Sequence, residues 1–177
     1  MGKWLTLMAH PASEDTAVVD IKVYMERIAL TTLKLVYRVT SGGGSICIPV
    51  KMPSLRTNEL WRHTCAELFI AAPGEAAYCE FNFSPSTQWA AYQFTAYRQG
   101  MRILDCAAPT IEATHVDRQL LIEVQLELPS QFNYCAELHI ALSMVIEELQ
   151  GRCSYWALAH LAAVPDFHHR SGFVVTI

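Results

Sequence analysis

An all-β fold, an antiparallel β-sandwich of the jelly-roll or immunoglobulin-like kind, is what this 177-residue sequence predicts, and three observations carry it. Apolar and polar residues alternate with a period of two in segment after segment. Glycine, proline and serine clusters punctuate the chain at short intervals. No stretch shows the 3.6-residue spacing of a convincing amphipathic helix. About ten strands separated by turns fit a sandwich better than any helical or parallel architecture.

Taken in order, Val19, Ile21, Val23 and Met25 alternate with Asp20, Lys22, Tyr24 and Glu26. Leu33, Leu35, Tyr37 and Val39 alternate with Lys34, Val36 and Arg38, giving a second half-buried strand. The cluster Ser41–Ser45, SGGGS, lies between this pair and the strand-like Ile46–Val50, and reads as a turn. A phosphate loop is excluded there, because neither Gly-Lys-Ser/Thr nor a helix follows. Lys51–Thr64 is polar and reads as a long loop; ordered loops of that length generally have a function. Further strands are expected over Thr64–Ala71, Tyr78–Ser84 beyond the Pro73-Gly74 turn, Ala90–Arg98, Gln119–Leu128, Leu138–Glu148, Arg152–His160 and Gly172–Ile177. Leu138–Glu148 contains helix-favouring alanine, methionine and glutamate, but its neighbours on both sides are strand-like, so it is taken as a strand. Cys65–Ala71 (CAELFIA) and Cys135–Ala141 (CAELHIA) nearly repeat, but the flanks differ and no periodic array results.

Composition bounds the function. Residues 1–177 suffice for a single domain that buries roughly 70% of its unfolded surface without a metal or disulfide. Hydrophobic residues make up 52% and charged residues 17%, yet no run approaches a membrane helix, so no membrane partner is expected. The six cysteines, at 47, 65, 79, 106, 135 and 153, stand singly, with no Cys-x-x-Cys pair for zinc. Met1–Pro11 shows no export signal, so reduced thiols in a cytoplasmic protein are expected. A formal charge of -4 without a Lys/Arg cluster argues against a nucleic-acid partner.

Strand parity then identifies a candidate site. Trp61, His63, Cys65, Glu67 and Phe69 share one face, opposite Ala66, Leu68 and Ile70. Glu80, Asn82 and Ser84 share a face opposite Cys79, Phe81 and Phe83. If the two strands are hairpin neighbours, Glu67, Glu80 and Asn82 meet on one side of one sheet, beneath Trp61. A third strand, with Ser154, Trp156, Leu158 and His160 on one face, would bring Trp156 across from Trp61. Indole faces suit the C–H faces of a sugar ring, and carboxylates and amides suit vicinal hydroxyls, so the expected site is a Trp-flanked groove for a small polar ligand, a saccharide first. Trp89, presented by a rim turn at Ser84-Pro85, and His160 and Asp166 are expected to edge it.

Taken singly, each of these residues is better explained as core or solvated face; the case rests on their convergence. Asp166 also suits a turn after Pro165, with His168 and His169 on a loop, and a metal is not favoured there. Nucleophilic catalysis has little support, since Ser84 and Cys65 lack a Gly-x-Ser-x-Gly elbow. Glu67 and Glu80 could form a glycosidase-like acid/base pair, and that hydrolase reading stands as an alternative.

The segments LWRHTCAELFIA, YCEFNFSPSTQWAAYQFTAYRQGM and CSYWALAHLAAVPDFHHRSGF resemble the DOMON-like proteins of bacteria, whose fold is similar to type 9 carbohydrate-binding modules. The resemblance covers most of the chain from Leu60 onward and implies a DOMON-type β-sandwich that binds a sugar between two tryptophans. By position it matches Trp61 and Trp156 to those tryptophans and Glu67 to the glutamate beside the first. Glu80 and Asn82 fall where the modules carry a basic residue and an asparagine. The acidic residue at Glu80 departs from that pattern. The modules carry structural calcium, but no Asp-rich loop occurs here, so calcium is not carried over. Other DOMON relatives bind haem through methionine with histidine or lysine; Met101, Met144 and His139 are the available residues, and haem binding is the second alternative.

Overall fold

The computed structural model describes residues 2–13, 16–43, 45–149 and 151–177. Gly44 of the expected SGGGS turn lies outside them. Among the described residues there is no α-helix, only three short 3-10 turns, and no helix long and apolar enough to cross a membrane. Twelve strands form in chain order: β1 Lys3–Ala9, β2 Val18–Ala29, β3 Thr32–Ser41, β4 Cys65–Ala71, β5 Tyr78–Phe83, β6 Trp89–Phe94, β7 Arg102–Ile103, β8 Thr110–Val116, β9 Gln119–Glu127, β10 His139–Glu147, β11 Cys153–Ala157 and β12 Val175–Thr176.

All these strand pairs are antiparallel, and together they curl into an antiparallel β-sandwich. One layer runs β7-β6-β5-β4-β10-β11, with β12 also on β10; the other runs β1-β2-β3-β9-β8. β1 joins them, pairing with β2 through Lys3 to Leu7 and with β11 through Met8 and Ala9. The alternation that predicted the strands sets the core between the layers. Leu33, Leu35, Tyr37 and Val39 of β3 lie directly opposite Leu126, Val124, Ile122 and Leu120 of β9, and all eight are buried. Ala66, Leu68 and Ile70 of β4 and Phe81 and Phe83 of β5 face them from the first layer in the same cluster.

Several elements differ from the sequence reading. β1 and β8 were not anticipated, because each buries a single apolar residue, Leu7 and Ile111, and in β1 the outward positions Trp4 and Met8 are apolar too. Ile46–Val50 forms no strand; Ile46 alone pairs, with Glu148, and Pro49 has no N–H to extend a ladder. A register shift between Val18 and Asp20 turns Val18 inward and leaves Val19 exposed. β6 stops at Phe94, before a turn in which Thr95 N donates to Gln99 O and Arg98 takes a left-handed φ of 54°.

The opposite face of the first layer is also apolar, and this second cluster prepares the site. Cys65, Phe69, Tyr78, Ala90, Tyr92, Phe94 and Ala141 pack there, covered by Leu60 and Phe173. A sheet buried on both faces explains why every residue of β4 and β5 is buried.

Candidate functional site

The second face holds a cavity of about 1000 Å³. Its floor comes from β4, β5 and β10. Glu67 and Asn82 are direct cross-strand partners, Glu80 lies opposite Phe69, and Ser143 lies opposite Glu67 on the other side. Glu67 and Glu80 are therefore diagonal neighbours on one face, with Asn82 between them, as the parity argument required. Ser143 Oγ donates to Glu67 Oε2 at 3.0 Å, Asn82 Nδ2 donates to Glu80 Oε1 at 2.7 Å, and the Cys65 thiol points at Asn82 Oδ1 at 3.8 Å.

The walls are aromatic: Phe69, Tyr92, Phe94 and Tyr155 from strands, Trp61 and Phe167 from loops. Trp61 sits in the 3-10 turn Leu60–Arg62 and is 44% exposed. The long loop that carries it is tied down by the turn after β5. Met52 N donates to Ser86 O, Thr87 Oγ1 to Met52 O, Thr57 N to Trp89 O, and Trp89 N to Leu55 O. The Arg56 guanidinium lies 4.1 Å from the Trp89 ring centroid and donates to the carbonyls of Ala91 and Leu104. Glu59, next along, takes a left-handed φ of 62°. Glu59 and Arg98 both line the cavity in this sparsely populated conformation, the kind of local strain that concentrates at binding sites.

The C-terminal segment closes the remaining side. Arg98 N donates to the Tyr78 hydroxyl at 3.2 Å, and that hydroxyl is hydrogen-bonded to His168 Nδ1 at 2.8 Å. The other ring nitrogen, Nε2, lies 3.7 Å from Glu80 Oε2. Burial, reinforced by Arg98, pulls His168 down to about 4, against the opposing effect of Asp166. At neutral pH this approach is therefore a contact with an uncharged imidazole, not an ion pair. Burial also pushes Glu67 well above the ordinary carboxylate range, with Glu80 adding to the shift and the Ser143 hydrogen bond opposing it. Glu80 is raised by burial too, against the Asn82 amide and the Arg98 charge. Burial thus shifts both floor carboxyls toward their protonated forms, Glu80 against the pull of Arg98.

Trp61, Glu67 and Glu80 line one cavity, and Asn82, fully buried beneath it, donates to Glu80. Trp156 does not join them. It lies in the inter-sheet core at 5% exposure, opposite Met144, with its indole N–H bonded to Ser154. The wall position expected of it is taken by Tyr155, because both faces of β11 are apolar and parity alone does not say which faces the cavity. Trp89 is likewise core, at 6% exposure, since it pairs with Phe83 and shares that residue's face. His160 is outside the lining: its Nε2 bonds the Met8 carbonyl at 2.7 Å and its ring meets His10 edge-on. Asp166 is a brace behind the rim. It accepts from the Tyr97 hydroxyl at 2.5 Å, from Arg98 at 2.8 Å and from His168 N at 3.1 Å. Tyr92, Phe94, Ser143 and Tyr155 were absent from the sequence reading; the Phe83–Trp89 register, with its short connection, was the signal for the first two.

Other chemistries fare less well. Cys65 is fully buried and burial raises its thiol well above the ordinary value, which disfavours the thiolate. Ser84 is held inside its turn by Ser86. Among the described residues, no group of three or more His, Cys, Asp or Glu is placed to hold a metal ion. Of the residues named for haem, Met144 is fully buried in the inter-sheet core and His139 belongs to the opposite face of β10, so these two share no side, whereas Met101 lines the cavity.

The fold and cavity together define an antiparallel sandwich with an aromatic-walled, acid-floored pocket on the outer face of one layer. No protein-family model matches the sequence, and no curated protein matches it. Solved structures do share the fold. A "putative carbohydrate-binding protein" from Bacteroides uniformis ATCC 8492 superposes with a TM-score of 0.69 over 98% of this chain and 84% of its own, at 13% identity. A family 9 carbohydrate-binding module from Caldicellulosiruptor kristjanssonii, solved with glucose, gives a TM-score of 0.57 over 98% of this chain and 82% of its own, at 9% identity. The structure of such a module from that organism with cellotriose gives 0.52 over 88% and 72%, at 12% identity.

Proposed function

We propose that this protein is a non-catalytic saccharide-binding domain of the DOMON-like kind, spanning residues 1–177 and acting in the cytoplasm, and that the cavity is its binding site. The observation that carries the reading is the convergence of the exposed Trp61 with Tyr92 and Tyr155 around a floor of Glu67 and Glu80, the latter held by the buried Asn82 amide. Flat aromatic faces stack on sugar C–H faces, and the floor offers both donors and acceptors for hydroxyl pairs. The shared fold with the glucose- and cellotriose-bound modules adds support at the level of architecture. Binding without turnover is favoured because burial raises both carboxyls, whereas a glycosidase sets its pair apart, one as acid and one as ionised base or nucleophile. No cofactor is invoked.

Titration calorimetry with glucose and short gluco-oligosaccharides tests this. The expected result is saturable binding that Trp61→Ala weakens by about 1–3 kcal/mol, within the range for loss of one stacking anchor. Saccharide hydrolysis abolished by Glu67→Gln or Glu80→Gln would replace the reading with the hydrolase one.

A further inference from the structure

The cavity floor carries more acid than a neutral sugar needs. Glu67 and Glu80 are 3% and 6% exposed, and both line the cavity. Each carboxyl has one oxygen satisfied, by Ser143 and by Asn82. Among the described residues, neither Glu67 Oε1 nor Glu80 Oε2 has a hydrogen-bond partner, His168 standing 3.7 Å from the latter. The guanidinium in the lining, Arg98, is already paired with Asp166 at 2.8 Å. Two buried carboxyls therefore point unmatched oxygens into a cavity without a free cation to meet them, and a buried carboxylate left unpaired is costly.

We propose that the ligand of this cavity is a saccharide bearing a free ammonium group, an amino sugar, which places its cation between Glu67 and Glu80. The inference rests on the saccharide reading and narrows it. An ammonium offers three donors, enough for both vacant oxygens, and its charge interacts with acids that are themselves almost wholly buried. The walls act in the same direction, because Trp61, Tyr92 and Tyr155 line the cavity with aromatic rings, whose faces attract cations as well as sugar C–H groups. A hydroxyl at the same position would fill the space without matching the charge. An N-acetyl group would remove the charge and crowd the floor.

The test compares glucose, glucosamine and N-acetylglucosamine by titration calorimetry at neutral pH, on wild type, Glu67→Gln and Glu80→Gln. The three sugars differ at one substituent, so the wild-type comparison needs no variant to fold. Glucosamine is expected to bind about tenfold or more tighter than the other two, as a charge-assisted contact should. Each glutamine variant, which removes the charge but keeps the side chain's shape, should reduce the glucosamine-to-glucose affinity ratio by about threefold or more, whatever it does to glucose affinity itself. Equal binding of glucose and glucosamine would overturn the ammonium inference while the saccharide reading stands. Binding of none of the sugars, gluco-oligosaccharides included, would overturn both. A glucosamine preference unchanged in both variants would also overturn it, since the cation would then sit elsewhere.

Discussion

The Tyr37 hydroxyl donates to the main-chain carbonyl of Glu67 at 2.7 Å, joining the two layers through the middle of the core at the residue that floors the cavity. Tyr37 comes from β3 and is fully buried. That bond fixes β4 against the opposite sheet, and so fixes the height of Glu67 in the site. Tyr37→Phe should cost about 1 kcal/mol of unfolding free energy in a urea titration, with the m-value unchanged. A variant as stable as wild type would show that the bond contributes nothing net.

Trp61 and Trp156 have opposite environments and should fail in opposite ways. Trp156→Ala opens a hole between Met144 and the facing layer, so a loss of about 3–5 kcal/mol in stability is expected. Trp61→Ala removes a half-exposed side chain from a loop, and stability should stay within about 0.5 kcal/mol while ligand binding falls. Denaturation and calorimetry on both proteins check this. Reversal of the pattern would put Trp156, not Trp61, in the site.

The floor carboxyls and His168 predict opposing pH dependences. A carboxyl raised by burial holds its proton in the folded chain where the unfolded chain has lost it. Its stabilising effect is complete below the ordinary value of 4.5 and is lost as pH rises through the raised value. His168 is lowered from 6.5 to about 4, so its contribution is complete above 6.5 and is lost as pH falls toward 4. Glu67→Gln should therefore gain stability relative to wild type as pH rises above 4.5, and His168→Gln should lessen the acid loss between 6.5 and 4. Chemical denaturation of the three proteins across that range is the measurement. Parallel stability curves for wild type and Glu67→Gln would mean that Glu67 titrates as an exposed acid.

Much of this architecture was legible in the chain because a period of two is a strong signal wherever one face is buried and the other wet. β2, β3 and β9 obey it, and the convergence of Glu67, Glu80 and Asn82 follows from the same counting through a hairpin. Legibility failed where that contrast vanishes. β1 and β8 bury little, and β1 carries apolar Trp4 and Met8 on its outer side, while β10 and β11 are apolar on both faces, so Trp156 and Tyr155 could be exchanged without changing the pattern. Trp89 was misplaced for a different reason. Its rim position was inferred from the Ser84-Pro85 break, whereas the five-residue connection from Phe83 brings it back onto Phe83's own face. The EFNFSPSTQW stretch thus contributes twice, Glu80 and Asn82 to the floor and the turn to anchoring the Trp61 loop.

Asp166 offers a separate handle on the cavity wall. Burial would raise its carboxyl, but the hydrogen bonds from Tyr97 and Arg98 outweigh it and hold the group below its ordinary value, so it is ionised at neutral pH. In that state it fixes Arg98, a non-glycine residue in left-handed backbone, and the His168 amide, both of which border the site. Asp166→Ala should loosen both walls at once. Because the Arg98 side chain is half exposed, the stability cost should be only about 1 kcal/mol. Ligand affinity should fall by about tenfold, since the wall loses its preorganised form. Hydrogen exchange should accelerate at the His168 amide, whose acceptor is gone, while amides of β4 and β5 keep their protection. Unchanged exchange at His168 together with unchanged affinity would show that Asp166 braces nothing the ligand touches.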